Sequence, residues 1–196
     1  MDTKRIGLNA ARNLVMKITG IFSYGLLSAS ITLSLFTFYH YPMSADSWLH
    51  VGLGRFILEN RSIPIHSSIS YKIVNPSLEF ITHSWLSDTI LYIAVQSSVY
   101  TAVFLVLTPL LGLTLFFINR LFPKQIDTTL RNLLLSFCCL IMLQFWRLHP
   151  FIFATPLLLA IVIAYKNIRI SNTLSNWIAL PIFLVLFANF SGGIIL

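Results

Sequence analysis

Charge is scarce in this chain. Asp, Glu, Lys and Arg together make up 10% of its 196 residues, against roughly a quarter in an ordinary soluble domain. That composition excludes a soluble globular fold. Cysteine is rarer still: Cys138 and Cys139 are adjacent and sit inside an apolar run, where neither a structural disulfide nor a zinc site is easily built. They read as packing or lipid-facing residues. No Gly-rich phosphate loop, nucleophile elbow, Cys/His metal spacing, internal repeat or low-complexity tract occurs, which removes the P-loop and serine-hydrolase classes. No small-residue cleavage site follows the first apolar run, so no cleavable signal is expected.

The net charge of +7 raises nucleic acid as a partner. Readers of nucleic acid gather their basic residues on one face or helix, whereas here they lie in short tracts between apolar runs. The pattern indicates topology and no nucleic-acid partner. Membrane lipid is the expected surrounding.

Hydrophobic residues are abundant, at 57%, and their arrangement predicts an all-α, polytopic transmembrane helix bundle. The stretch 18–38 is uncharged and about twenty residues long, enough to cross a hydrocarbon core of roughly 30 Å. Lys4, Arg5, Arg12 and Lys17 precede it against Asp2 alone, which predicts an N-terminus on the cytoplasmic side of the membrane by the positive-inside rule. A second span is expected at 99–118, with Pro109 as a kink, after a short interfacial helix at 85–95. Arg120, Lys124 and Arg131 follow on the inner side. The region after them is interrupted by Arg147-Leu148-His149-Pro150, predicting spans at 132–146 and 150–165 joined by a tight external turn, with Pro150 as the first helical residue. Lys166 and Arg169 mark the inside again, and a fifth span is expected at 176–190. Altogether the chain reads as a single transmembrane domain, 1–196, ending abruptly near Gly192-Gly193 and expected to be the N-terminal portion of a longer protein.

Between the first two spans lies the large external loop 39–84. Trp48, Leu49, Val51, Phe56 and Ile57 recur at near-helical intervals, predicting a helix at the membrane interface that Asn60 and Pro64 would end. Weak alternation at Ile69-Ser70-Tyr71-Lys72-Ile73 and a turn at Asn75-Pro76-Ser77 come next. Topology brings this loop, the Arg147 turn and Asn189 to one face of the membrane.

The block Asp46-Ser47-Trp48-Leu49-His50 puts a carboxylate and an imidazole four positions apart at that surface. With 45–64 (ADSWLHVGLGRFILENRSIP), Ser70-Tyr71, His83-Ser84-Trp85-Leu86 and Asn189-Phe190-Ser191-Gly192-Gly193, it resembles the first external loop and a later Asn-x-His-Gly-Gly element of bacterial membrane proteins related to the C-type glycosyltransferase (GT-C) superfamily. The likeness is to mannosyltransferase-like members that use polyprenyl-phosphate sugars. The resemblance implies sugar transfer from a polyprenyl-phosphate donor at the outer face of the cytoplasmic membrane. By position it gives Asp46 the role of catalytic base, or of ligand to a divalent metal cofactor if one is used. Members carry an aspartate where this chain has Ser67 and a histidine where it has Ser191, which supports an alternative: a truncated or degenerate, non-catalytic member of the same family.

Such a reaction needs a carboxylate to deprotonate the acceptor hydroxyl and a cation for the departing phosphate. Arg147, with its planar fork, fits the second task. His50 would orient Asp46 or meet the phosphate, and His149 and Asn189 are the further donor-phosphate or orienting candidates. Each has an ordinary structural explanation. Asp46 precedes a helix and suits an N-cap; His50, Trp48 and His83 suit interfacial anchoring; Arg147 suits a snorkelling cation; Gly192 and Gly193 suit helix packing. His66 is weaker still, and Asp88 reads as a water-facing residue at a helix start. A transporter is disfavoured because the ionisable groups gather outside the apolar runs.

Overall fold

The computed structural model describes residues 3–64, 84–143, 147–171 and 173–191. His66, Ser67, His83, Gly192, Gly193 and the turn at Asn75-Pro76-Ser77 lie outside the described residues, as does the side chain of Ser191. Among those described the fold is all-helical: α1 (Thr3–His40), α2 (Ala45–Asn60), α3 (Trp85–Ser97), α4 (Val99–Ala102), α5 (Thr108–Leu121), α6 (Thr128–Met142), α7 (Phe151–Ser171) and α8 (Leu174–Ser191), with a π-helical turn, Val103–Leu107, joining α4 to α5.

Three helical stretches are long and apolar enough to cross a membrane: Asn13–His40, Val99–Leu121 and Phe151–Ser171. Thr128–Met142 and Leu174–Phe190 are apolar but shorter. The stretches expected as the first, second and fourth spans thus form helices long and apolar enough to cross a membrane, whereas those expected as the third and fifth form shorter apolar helices.

Polar residues inside these helices satisfy themselves locally. In α1, Ser30 Oγ donates to the Leu26 carbonyl and Ser34 Oγ to the Ser30 carbonyl, each at 2.8 Å, so the hydroxyls meet partners without leaving an apolar setting. Pro109 is accommodated rather than left as a bare break. It lacks the amide that an α-helix would need, and the turn just before it widens to π register: the Thr108 amide and its Oγ1 both donate to the Val103 carbonyl, the hydroxyl at 3.0 Å. A π turn of this kind inserts locally without ending the helix.

The chain divides into two compact units, one made of residues 1–36 and 122–145 and the other of 37–121 and 146–196. Within the first, Asn132 Nδ2 donates to Ser23 Oγ at 3.3 Å, both buried. Within the second, α2 packs along α3, α7 packs on α8, α5 on α7, and α3 touches α8. Every residue of the candidate site belongs to this second unit.

The α2–α3 seam is a close approach of two helices. A Cβ on Gly54 would overlap the Asp88 carbonyl oxygen and stand 2.6 Å from the Asp88 carbonyl carbon and 2.8 Å from Tyr92 Cβ. Only glycine lets the α3 backbone come this near. Gly52, on another face of the same helix, has nothing within 4 Å of the same position. The helix ends at Asn60, with Arg61 in the left-handed region at φ 50°, a C-terminal geometry that stops an α-helix.

Candidate functional site

Helix α2 starts from a capping box made by two serines. Ser44 Oγ accepts from the Ser47 amide at 3.2 Å, and Ser47 Oγ accepts from the Ser44 amide at 2.9 Å. The expected cap at Asp46 is thus corrected: Ser44 holds the cap position, where a short hydroxyl reaches the unpaired amides. Asp46 lies in the first turn instead, exposed, where a negative charge suits the helix N-terminus. Its carboxylate makes no hydrogen bond among the described residues.

One turn on, His50 makes no hydrogen bond to Asp46. Its Nδ1 lies 2.8 Å from Asp88 Oδ1, with the His50 side chain 17% exposed and Asp88 fully buried. Ser84 Oγ donates to both oxygens of the same carboxylate, at 3.1 and 3.2 Å. Asp88 is therefore not the water-facing residue expected from its place at a helix start. The α2–α3 seam closes over it, and a buried carboxylate of this kind persists only when hydrogen-bonded and paired. His50 is correspondingly oriented by Asp88 and does not orient Asp46.

The other ring nitrogen of His50 meets His149. The two Nε2 atoms are 3.2 Å apart, with the rings edge to face at 85°. His149 sits on the turn before α7, where the Leu148 amide donates to the Pro42 carbonyl at 2.8 Å and the Phe151 amide donates to His149 Nδ1 at 3.2 Å. These contacts assign the tautomers. Because His149 Nδ1 accepts, its proton is on Nε2 and donates to His50 Nε2. His50 then carries its proton on Nδ1 and donates to Asp88. The chain of donors runs without conflict from Phe151 through both imidazoles to the carboxylate.

His149 is pulled below the ordinary histidine range, first by burial and then by the neighbouring His50, while Asp46 and Asp88 act in the opposite sense. The influence of Asp46 places its charge within electrostatic reach of the pair. Arg147, two residues before His149, is exposed on the same turn.

Asn189 arrives from the end of α8. Its Oδ1 accepts from Trp85 Nε1 at 2.8 Å, and its Nδ2 donates to the Val185 carbonyl at 2.7 Å. Beside it, Ser87 Oγ donates to the Phe190 carbonyl at 2.8 Å. Asn189 is thus tied to the first turn of α3 and is engaged in packing as well as near the cluster. Phe190 stacks on Phe153 with centroids 4.9 Å apart, and both line an apolar cavity of about 190 Å³ with Pro156, Ala160 and Phe183.

His50 and His149 are brought together directly, Asp46 and Arg147 flank them, and Asn189 reaches the same helix start through Trp85. Sequence reasoning missed Ser84 and Asp88 as members. A signal existed: Asp88 is a lone carboxylate at the edge of a long apolar run, and such a group usually has a partner in the protein interior. Among the described residues no group of three or more His, Cys, Asp or Glu stands together to hold a metal ion. Asp46 is the lone unengaged carboxylate among the described residues of the cluster, which does not fit a hard divalent cation that takes about six oxygen ligands.

Comparison with protein-family models, with curated proteins and with solved structures finds no match to this chain.

Proposed function

We propose that this is a membrane glycosyltransferase of GT-C type that moves a sugar from a polyprenyl-phosphate donor at the outer face of the cytoplasmic membrane. In this reading the N-terminus is cytoplasmic, the two shorter apolar helices complete five spans, and α2 and α3 lie in the first external loop at the interface. One observation carries the proposal: His50, Asp88, His149 and Asn189, from four segments far apart in sequence, meet around the start of α3, with Asp46 and Arg147 at the margin.

The chemistry suits the donor. Arg147 offers an always-charged fork to phosphate oxygens. Asp46 offers an exposed negative charge to the sugar, whose anomeric carbon becomes positive as the phosphate leaves. The cavity lined by Phe153 and Phe190 offers an apolar surface on α7, the helix that follows the His149 turn.

The test uses the full chain in lipid nanodiscs with radiolabelled polyprenyl-phosphate sugars and a panel of lipid and glycan acceptors. Wild-type protein is expected to transfer label, and Asp46→Asn to reduce transfer by a factor of about 10² to 10⁴ with its thermal unfolding unchanged. Transfer unaffected by Asp46→Asn, or none from the wild type, overturns the reading.

A further inference from the structure

We propose that the proton acceptor of this site is His50 Nε2, held for that task by Asp88, and that His149 occupies the place of the incoming hydroxyl. The proposal rests on the transfer reading above but assigns the base differently from the family resemblance, which points to Asp46.

A general base must be fixed before it acts, and the two candidates differ in that respect. Asp46 is exposed and unengaged among the described residues, so water and thermal motion share its carboxylate. His50 is held at both ends. Its Nδ1–H is 2.8 Å from a fully buried carboxylate, which is itself held by Ser84 Oγ through both oxygens. That arrangement fixes the ring plane, selects the tautomer with its lone pair on Nε2, and stabilises the positive charge that forms when Nε2 takes a proton. It is the acid–imidazole geometry by which a third group readies a base.

The lone pair is aimed at a donor already. His149 Nε2–H lies 3.2 Å away, within the range of a hydroxyl about to lose its proton. His149 is carried on the turn Arg147 to Pro150, which Leu148 anchors to Pro42, so the base is exposed by turning the His149 side chain aside. The charged and titratable groups around His50 are Asp88 on α3, bonded to its Nδ1, His149 at its Nε2, and Asp46 one turn earlier on its own helix, with Arg147 exposed two residues before His149.

In the step so drawn, the acceptor O–H breaks and its proton goes to His50 Nε2. The oxygen forms its bond to the anomeric carbon, and the bond from that carbon to the donor phosphate oxygen breaks. The polyprenyl phosphate leaves with the bonding pair, and the imidazolium later returns its proton to solvent.

Two measurements decide the matter, one of which needs no transfer. In nanodiscs, Asp46→Asn, Asp88→Asn and His50→Gln are compared across pH 5 to 8. If His50 is the base, Asp46→Asn keeps a rate that rises with pH through the histidine range, Asp88→Asn lowers the rate about 10²-fold or more, and His50→Gln loses that pH limb. A wild-type pH limb in His50→Gln, or its loss in Asp46→Asn, overturns the proposal. Separately, diethyl pyrocarbonate acylates unprotonated imidazole. Under the proposal His50 is shielded in wild-type protein, becomes reactive in His149→Ala, and is several-fold slower again when Asp88→Asn is added. If Asp88→Asn leaves that rate unchanged, the dyad is refuted. Should wild-type protein transfer no sugar, the function reading falls while the acylation series still settles the geometry.

Discussion

Gly54→Ala is the sharpest perturbation of the seam that builds the site. Adding one methyl places a carbon 2.6 Å from the Asp88 carbonyl carbon, and ordinary contact begins at 3.4 Å. The two backbones must therefore part by at least about 0.8 Å, and by more at the Asp88 carbonyl oxygen, because both Asp88 atoms are main chain. His50 lies one turn before Gly54, so its 2.8 Å bond to Asp88 is carried past the 3.5 Å beyond which a hydrogen bond is lost. Overpacking of this kind costs about 1–3 kcal/mol. A buried carboxylate left short of a partner costs about 1–3 kcal/mol more. The better helix propensity of alanine returns at most about 1 kcal/mol. The expected loss is about 1–6 kcal/mol, or roughly 2–24 °C in Tm at about 2–4 °C per kcal/mol for a chain of this length. Gly52→Ala is the control: nothing lies within 4 Å of its new Cβ, so it should be neutral or slightly stabilising. The assay is thermal unfolding in nanodiscs, with the His50 Nδ1 proton resonance as a local reporter. Equal Tm values and an unchanged resonance in the two variants would refute the close-approach argument.

Two further outcomes follow from the same region. His149 lies below its ordinary pKa in the folded protein, so the unfolded chain binds more protons as pH falls. Stability should be constant above about pH 6.5 and decline below it, and His149→Asn should flatten that slope in a Tm series from pH 5 to 8. Ser44→Ala removes one half of the α2 capping box and is expected to cost about 1 kcal/mol in urea unfolding, whereas Asp46→Ala, which holds no cap, should cost less. A larger loss from Asp46→Ala than from Ser44→Ala would return the cap to Asp46.

The helical class and the membrane-spanning stretches were legible in the sequence because hydropathy and scarcity of charge act over whole windows of about twenty residues. Helix α2 was legible for a related reason, the near-helical spacing of its apolar residues, but that spacing did not mark that Val51 and Ile57 would be buried while Trp48 and Leu49 stay exposed. Asp88 was not legible in the same way. Its role depends on Gly54 admitting the α3 backbone, and one glycine among eight carries no mark in the sequence of which helix it will meet. Likewise, Ser44 and Asp46 are both good capping types two positions apart, and only the backbone register decides between them.

The consequence for the site is that long-range pairing reassigns roles that local sequence leaves equal. Asp46 and Asp88 are both carboxylates in the first turn of a helix, and the sequence reading singled out the first. Packing separates them: one stays exposed, and the other is fully buried and bonded to an imidazole. A buried carboxylate must have its partners to persist, so the fold fixes His50 in one orientation and one tautomer for reasons of stability alone. The same fixation gives Nε2 a directed lone pair. Stability and proton transfer thus make opposite predictions for one substitution. If Asp88 serves packing only, Asp88→Asn, which keeps the shape and can still accept from Ser84, should lower Tm and leave the chemistry of His50 untouched. If it also serves the base, the acylation rate of His50 in the His149→Ala background falls even at temperatures where the protein is fully folded.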